Sequence, residues 1–116
     1  MRQVLDGTKI TPRAQEAIDR FHPIIVSEIQ QAIQTNEWVI VGMAHNIPVI
    51  KARKFLEEKN ISFKYIQHGS YFSKWKARLA IKLWSGWPTF PQVFHKGVLV
   101  GGFTDLKVYI KHTKTL

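Results

Sequence analysis

A Gly-Gly pair followed by a short polar turn is the part of this chain best suited to holding a small ligand. Gly101 and Gly102 let the backbone turn sharply or approach a ligand closely, because neither carries a Cβ. Phe103 or Thr104 then begins a helix, with Asp105 in its first turn. Backbone N–H groups at a helix start lack helical partners and can bind an anion. The spacing therefore predicts an anion-binding turn.

A second segment with chemical potential lies one β-hairpin earlier. Strand-forming residues at 93–100 stand on either side of a Lys-Gly pair at 96–97, which is typical of a hairpin turn. Pro91 cannot donate to a β-ladder, so it must begin the first strand or lie at its edge. Thr89 and Phe90 thus precede the hairpin in the chain, and the Gly-Gly turn follows it.

Together these residues resemble the C-terminal half of a glutaredoxin, where a Thr-x-Pro strand start is followed by a hairpin and a Gly-Gly-x-x-Asp turn. The resemblance covers residues 27–112 and implies a thioredoxin-like fold with a cis-proline at position 91. It implies that the residue before this proline offers its backbone to the cysteine of glutathione. It also implies that the Gly-Gly turn holds the γ-glutamyl end of that tripeptide.

The sequence contains no cysteine, whereas a glutaredoxin acts through a thiolate at a helix N-terminus, where the helix dipole lowers the pKa of the thiol. Matching residues 51–56 to the family's helix places residues 46–49 at the nucleophile motif. Asn46 takes the position of the nucleophile, to within one residue. Met43 stands where the family has a basic residue that helps to hold glutathione. We therefore predict that this chain carries out no thiol–disulfide exchange by itself.

Other parts of the family's binding site match. Arg78 and Lys82 lie four residues apart on a predicted helix and so share a face, and the resemblance implies that this pair binds the glycyl carboxylate. The predicted ligand-binding residues are Arg78, Lys82, Thr89, Phe90, Pro91, Gly102, Phe103, Thr104 and Asp105. A purely structural role for Pro91 and the Gly-Gly pair is the alternative that the residues leave open.

The charge distribution suggests a second function. The net charge is +9; residues 1–50 carry four basic and five acidic side chains, and residues 51–116 carry thirteen and three. Basic and aromatic residues also alternate between positions 71 and 87, a pattern that can bind single-stranded nucleic acid. A basic nucleic-acid-binding or protein-interaction module is therefore the alternative. Nucleic acid is the weaker choice, because no recognised nucleic-acid motif accompanies the charge.

Several classes of protein and site are not expected. None of the five histidines has the helical partner or carboxylate set typical of a metal site, so we expect no metal. His45, next to the nucleophile position, could hydrogen-bond a ligand. No apolar run approaches the roughly 20 residues needed to span a bilayer, and residues 1–6 lack the apolar core of a signal peptide. Without disulfides, we expect a cytoplasmic location and no membrane contact, and the oligomeric state stays open.

Helix and strand signals indicate the elements that position these residues. Thr11-Pro12 predicts a helix start, His22-Pro23 a break, and a capping box at 27–30 a second helix to about Thr35. Further signals predict a strand at 38–41, a helix from Asn46 to Asn60, a strand at 61–66, a helix from Ser70 or Ser73 to about Trp84, the hairpin, and a helix at 105–112.

This order is β-α-β-α-β-β-α after the N-terminal helices, which predicts the α/β class. The resemblance adds the topology, a thioredoxin-like three-layer α/β/α arrangement with a mixed four-stranded sheet and an extra N-terminal helix. We divide the chain into an N-terminal extension, 1–26, and a glutaredoxin-like domain, 27–116.

The predicted function is that of a glutaredoxin-like protein without its thiol nucleophile. It would bind glutathione, a related γ-glutamyl ligand or a partner protein in the former active-site groove. Resemblance alone would connect it with redox homeostasis, but the missing cysteine argues against enzymatic activity. Glutathione is the one cofactor that the resemblance implies.

Overall fold

The computed structural model of this chain describes residues 1–113. Its elements are a 3-10 turn (Gly7–Lys9), α1 (Pro12–Asp19), α2 (Pro23–Thr35), β1 (Trp38–Gly42), α3 (Ile47–Glu58), β2 (Lys64–Gln67), α4 (Trp75–Ser85), β3 (Gln92–His95), β4 (Val98–Gly101) and α5 (Phe103–Thr113). From β1 onwards this is the predicted order. None of these helices is long and apolar enough to cross a membrane.

The apolar strand β1 lies inside the sheet, whose strand order is β2-β1-β3-β4. It pairs in parallel with β2, where Val41 lies opposite Ile66, and antiparallel with β3, where Val41 lies opposite Gln92. β3 pairs antiparallel with β4. All five residues of β1 are buried, as a strand covered on both faces requires. The predicted mixed four-stranded sheet is confirmed.

Successive residues of β1 point to opposite faces of the sheet and so enter two separate cores. On one face α2 and α4 pack against each other, and on the other α3 and α5 do so. The α2/α4 core includes Ile29, Ala32, Val39, Val41, Ile66, Ile81 and Phe94. The α3/α5 core contains Trp38, Ile40, Ala52, Leu56, Val93 and Leu106. The predicted three-layer α/β/α arrangement of the thioredoxin-like fold is thus confirmed.

Several predicted caps and turns are also confirmed. The hydroxyl of Thr11 accepts a hydrogen bond from the backbone N–H of Ala14 at the start of α1 (3.2 Å). Gly86 ends α4 in the left-handed conformation, with φ +81. Residues 96 and 97 have φ values of 52° and 79°, the positive values that a two-residue type I′ hairpin turn requires.

The predicted starts of two helices are wrong, and in each case a non-glycine residue with positive φ precedes the true start. α2 begins at Pro23, after His22 at φ 50, so Ser27 lies inside the helix and no capping box forms there. α4 begins at Trp75, after Lys74 at φ 56. Its predicted start residues Ser70 and Ser73 instead form an isolated β-bridge.

Smaller differences concern the region between α3 and β2. The helix ends at Glu58 and the strand spans only Lys64–Gln67, because the chain first turns through Asn60, whose φ is 58°. The division at 26–27 stays a prediction, and that position lies within α2. The 3-10 turn and α1 contain no fully buried residue.

The close packing of α3 against the end of β1 yields a stability prediction. A Cβ added at Gly42 would lie 2.6 Å from Cγ1 of Val49 and 3.2 Å from Cε1 of Tyr65. We expect Gly42→Ala to lower the free energy of unfolding by about 1–3 kcal/mol, the usual cost of overpacking. Gly7→Ala is the control, because nothing lies within 4 Å of its added Cβ. Urea unfolding measures the stability of both variants. Equal midpoints would contradict the close contact of Gly42 with Val49 and Tyr65.

Tyr65 gives the structure a pH dependence. Burial raises the pKa of its phenol above the ordinary 10.0, and the neighbouring Arg53 guanidinium partly opposes that rise. Because the unfolded chain then loses this proton first, stability should fall as the pH rises through about 10 and level off above the pKa of the folded state. Tyr65→Phe should remove this component in denaturant titrations between about pH 9 and 11. Parallel pH profiles for the two proteins would refute the assignment.

Candidate functional site

Two of the predicted ligand-binding segments leave the sheet at the same end. Gln92, the first residue of β3, lies opposite Val41 near the carboxyl end of β1. Gly101, the last residue of β4, lies opposite Val93. The segment 89–91 and the Gly-Gly turn therefore flank the carboxyl end of β1. A Cβ at Gly102 would lie 3.8 Å from the carbonyl oxygen of Pro91, so the two segments are neighbours in space.

The Gly-Gly turn is held by the first acidic residue of α5. Gly101 has φ +123, and a Cβ there would lie 2.8 Å from the side chain of Asp105. The backbone N–H of Gly102 donates to Oδ2 of Asp105 (2.9 Å). The backbone N–H of Leu106 donates to the carbonyl of Gly102 (2.9 Å). The amides at 103–105 precede this bond, so they lack intrahelical partners and are available to an anion.

The proline segment supplies a backbone edge and an aromatic ring. The Phe90–Pro91 peptide bond is cis. Phe90 is buried, with 5% of its surface exposed, whereas Thr89 before it is exposed. Nζ of Lys82 lies 5.5 Å from the centre of the Phe90 ring, within the range of a cation–π contact. Lys82 therefore places a positive charge beside this segment.

Asn46 occupies the start of α3 as the predicted N-cap. Its Oδ1 accepts a hydrogen bond from the backbone N–H of Val49 (3.0 Å), and its Nδ2 donates to the hydroxyl of Tyr71 (3.3 Å). Pro48 in the same turn has no N–H to offer. The helix start that would stabilise a thiolate is thus partly satisfied by a neutral amide, which is not a nucleophile.

The three residues before Asn46 include no lysine or arginine. Met43, which the resemblance places where the family has a basic residue, is buried in the α2/α4 core. His45 is exposed, in the left-handed conformation with φ 61. Within residues 1–113, no three metal-binding side chains come together in a way that could hold a metal ion.

Arg78 differs from the surface cation that the helical spacing suggests. Only 7% of its surface is exposed. Its Nη1 donates to the backbone carbonyl of His68 (3.2 Å) and to that of Ser73. This guanidinium therefore supports the loop between β2 and α4 and does not point freely at a ligand carboxylate. Lys82 is the member of the predicted pair that lies beside the proline segment.

Tyr71 is a site residue that the sequence analysis missed. It lies on the loop supported by Arg78, is 61% exposed, and reaches the Asn46 side chain across 25 positions of sequence. No local pattern marks such a contact. The aromatic character of Tyr71-Phe72 was the one available signal, and it was assigned to the charge pattern.

Known proteins share sequence with much of this chain. The sequence model of the glutaredoxin family matches residues 50–100. A glutaredoxin-like protein of Dictyostelium discoideum is 45% identical over 98 residues, which cover 84% of this chain and 80% of that protein. Monothiol glutaredoxin-S17 of Arabidopsis thaliana is 43% identical over 54 residues, 45% of this chain and 10% of that protein.

Solved structures share the fold at lower identity. A buckwheat glutaredoxin–glutathione complex superposes with a TM-score of 0.67 at 17% identity, covering 86% of this chain and 87% of that one. Glutaredoxin 1 from Francisella tularensis, complexed with cacodylate, gives 0.57 at 23% identity, covering 71% of this chain and 100% of that one.

The likeness to the Dictyostelium protein runs through most of both chains, and it is accompanied by the family-model match at 50–100 and by the fold of solved glutaredoxins. On these grounds, this cysteine-free chain belongs to the glutaredoxin family.

Proposed function

We propose that this protein is a non-catalytic glutaredoxin that binds reduced glutathione, or a related γ-glutamyl ligand, at the carboxyl end of β1. The observation that carries the proposal is the ordered turn in which Gly102 donates to Asp105 beside Pro91. This turn is formed although the predicted nucleophile position holds an asparagine.

The chemistry of the turn matches the γ-glutamyl end of the tripeptide. That end carries a carboxylate and an ammonium group on one carbon. The amides at 103–105 suit the carboxylate, since they lie at the positive end of the α5 dipole. The carboxylate of Asp105 suits the ammonium, because it remains exposed while it holds Gly102. The two charges of the γ-glutamyl end would thus each face a protein group of opposite polarity.

The rest of the ligand would lie along the proline segment. Thr89 and Phe90 precede the cis peptide bond and offer backbone groups to an extended peptide. Lys82, beside the Phe90 ring, supplies a cation for the glycyl carboxylate. Arg78 acts indirectly in this proposal, by supporting the loop that carries Tyr71. The buckwheat relative was solved with glutathione, which supports the choice of ligand.

Thiol–disulfide exchange begins with attack by a thiolate on a disulfide sulfur. The chain contains no cysteine, so it can bind a thiol ligand without forming a mixed disulfide with it. A role in ligand binding, or in competing with active relatives for glutathione or for client proteins, fits this composition.

Nucleic-acid binding remains the second candidate, because residues 59–104 contain seven basic and no acidic side chains. The dependence of binding affinity on salt concentration distinguishes nucleic-acid binding from glutathione binding. Non-specific nucleic-acid binding should fall by orders of magnitude between about 50 and 200 mM salt. Glutathione held largely by backbone groups should lose much less affinity over that range.

A titration of reduced glutathione into labelled protein, followed by amide NMR, tests the proposal. We expect saturable shifts at Phe90, Gly102, Thr104 and Asp105. Asp105→Asn keeps an oxygen acceptor for Gly102 but removes the negative charge, so it should weaken binding about tenfold. Lys111→Gln, at the far end of the same helix, is the charge-change control and should leave the affinity unchanged.

Two results would contradict glutathione binding. One is the absence of shifts at millimolar glutathione; the other is equal affinity for Asp105→Asn and the unaltered chain. A single-stranded oligonucleotide, titrated at both salt concentrations, shows in the same series whether the basic surface is the binding element.

Replacing Asn46 by cysteine tests whether the start of α3 is a former nucleophile site. We expect the new thiol in Asn46→Cys to have a pKa below the ordinary 8.5 or so, because it would lie at a helix N-terminus. Ultraviolet absorbance of the thiolate against pH measures this value. Ser62→Cys, on an exposed loop, is the control with an ordinary pKa. Matching titration curves would rule out the assignment of position 46.

A further inference from the structure

Helix α4 exposes an apolar row where a surface helix normally carries polar side chains. Trp75, Leu79 and Leu83 are spaced four residues apart and so lie on one face. Their exposed fractions are 60%, 36% and 63%. Phe72, just before the helix, is 98% exposed. The other face of α4 already contributes Ile81 to the core, so burial within this chain does not explain the outer row.

The row borders a groove between α4 and the N-terminal helices. The groove has a volume of about 670 Å³, and its walls are mainly apolar, with Asp19 as the one acidic lining residue, on the side away from α4. Leu79, Leu83 and Trp84 line it from α4, while Ile18, Phe21 and Val26 line it from the opposite side. None of its lining residues belongs to the predicted glutathione site. The groove itself is therefore separate from the proposed glutathione site, although Lys82, beside the outer row, belongs to both surfaces.

Unpaired positive charge flanks the apolar row. At helical spacing, Lys76 and Lys82 lie on opposite sides of the row formed by Leu79 and Leu83. No lysine among residues 1–113 lies within ion-pair distance of a carboxylate. The segment from Lys59 to Thr104 contains no acidic residue at all. A binding partner with negative charges beside an apolar stripe would complement both features.

We propose that this groove, together with the outer row of α4, docks an acidic amphipathic helix of a partner protein. The apolar stripe of such a helix would lie between α4 and α1, and its Asp or Glu side chains would meet Lys76 and Lys82. A helix fits because the surface is a groove between helices whose walls are formed by apolar helix side chains. A bilayer surface instead favours a flat or convex apolar face.

Fluorescence anisotropy with a labelled synthetic peptide tests this docking on the full chain. The peptide has about 18 residues, with Leu at positions i, i+3, i+4 and i+7 and Glu beside them, which makes one apolar face on a helix. We expect saturable binding. A matched peptide with Lys in place of Glu should bind at least about tenfold more weakly.

Variants of the chain locate the site. Leu83→Ser and Lys76→Glu should each weaken binding of the acidic peptide by about tenfold. Val108→Ser is the control, because Val108 is also exposed (53%) but lies on α5. Circular dichroism confirms that each variant is folded, so weaker binding cannot be attributed to unfolding.

Several outcomes would overturn the proposal. These are equal binding of the acidic and basic peptides, no binding of either, or an affinity that Leu83→Ser leaves unchanged. Binding to phosphatidylserine-containing vesicles without binding to the peptide would assign the face to a membrane. Self-association that Leu83→Ser abolishes, again without peptide binding, would assign it to a second copy of this chain.

Discussion

The pairing of β1 along both of its edges is the constraint on which the site depends. β2 fixes one edge in parallel and β3 fixes the other antiparallel, while two helical layers cover the faces. Every residue of the strand is buried, so a slip of one position would exchange the two cores and be strongly disfavoured. The carboxyl end of β1 is therefore a fixed point. The proline segment and the Gly-Gly turn lie beside it, and the start of α3 follows it.

The helix start at Asn46 could stabilise either a thiolate or a capping side chain, because both interact with the same unsatisfied N–H groups. The unsatisfied N–H groups at a helix start lower the pKa of a thiol placed there. In this chain Oδ1 of Asn46 accepts a hydrogen bond from one of those groups, the N–H of Val49, and so stabilises the helix as N-cap residues do. Its amide also holds Tyr71, which ties the loop before α4 to the start of α3. The position thus joins two segments through a side chain that has no redox chemistry.

The sequence was informative where local chemistry decides the structure. The caps Thr11 and Asn46, the helix end at Gly86 and the turn at Gly97 follow from side-chain and φ preferences. The two-sided apolar character of β1 indicated a buried strand. The predicted start of α4 was wrong because Lys74, which precedes the helix, adopts a left-handed conformation that its residue type does not favour. The burial of Arg78 and the contact between Tyr71 and Asn46 were not predicted, because the partners are backbone carbonyls or lie far away in sequence, and no side-chain pattern reveals them.

The hydrogen bond between Asp105 and Gly102 has a thermodynamic consequence for any ligand of this turn. Binding commonly loses affinity because loops must become ordered around the ligand. Here a carboxylate of the protein already holds the turn, and a side chain at Gly101 would clash with that same carboxylate. The entropy of ordering this segment is lost during folding and not during association. Any ligand that binds this turn would therefore meet a segment that is already ordered, and little of its interaction free energy would be lost in ordering that segment.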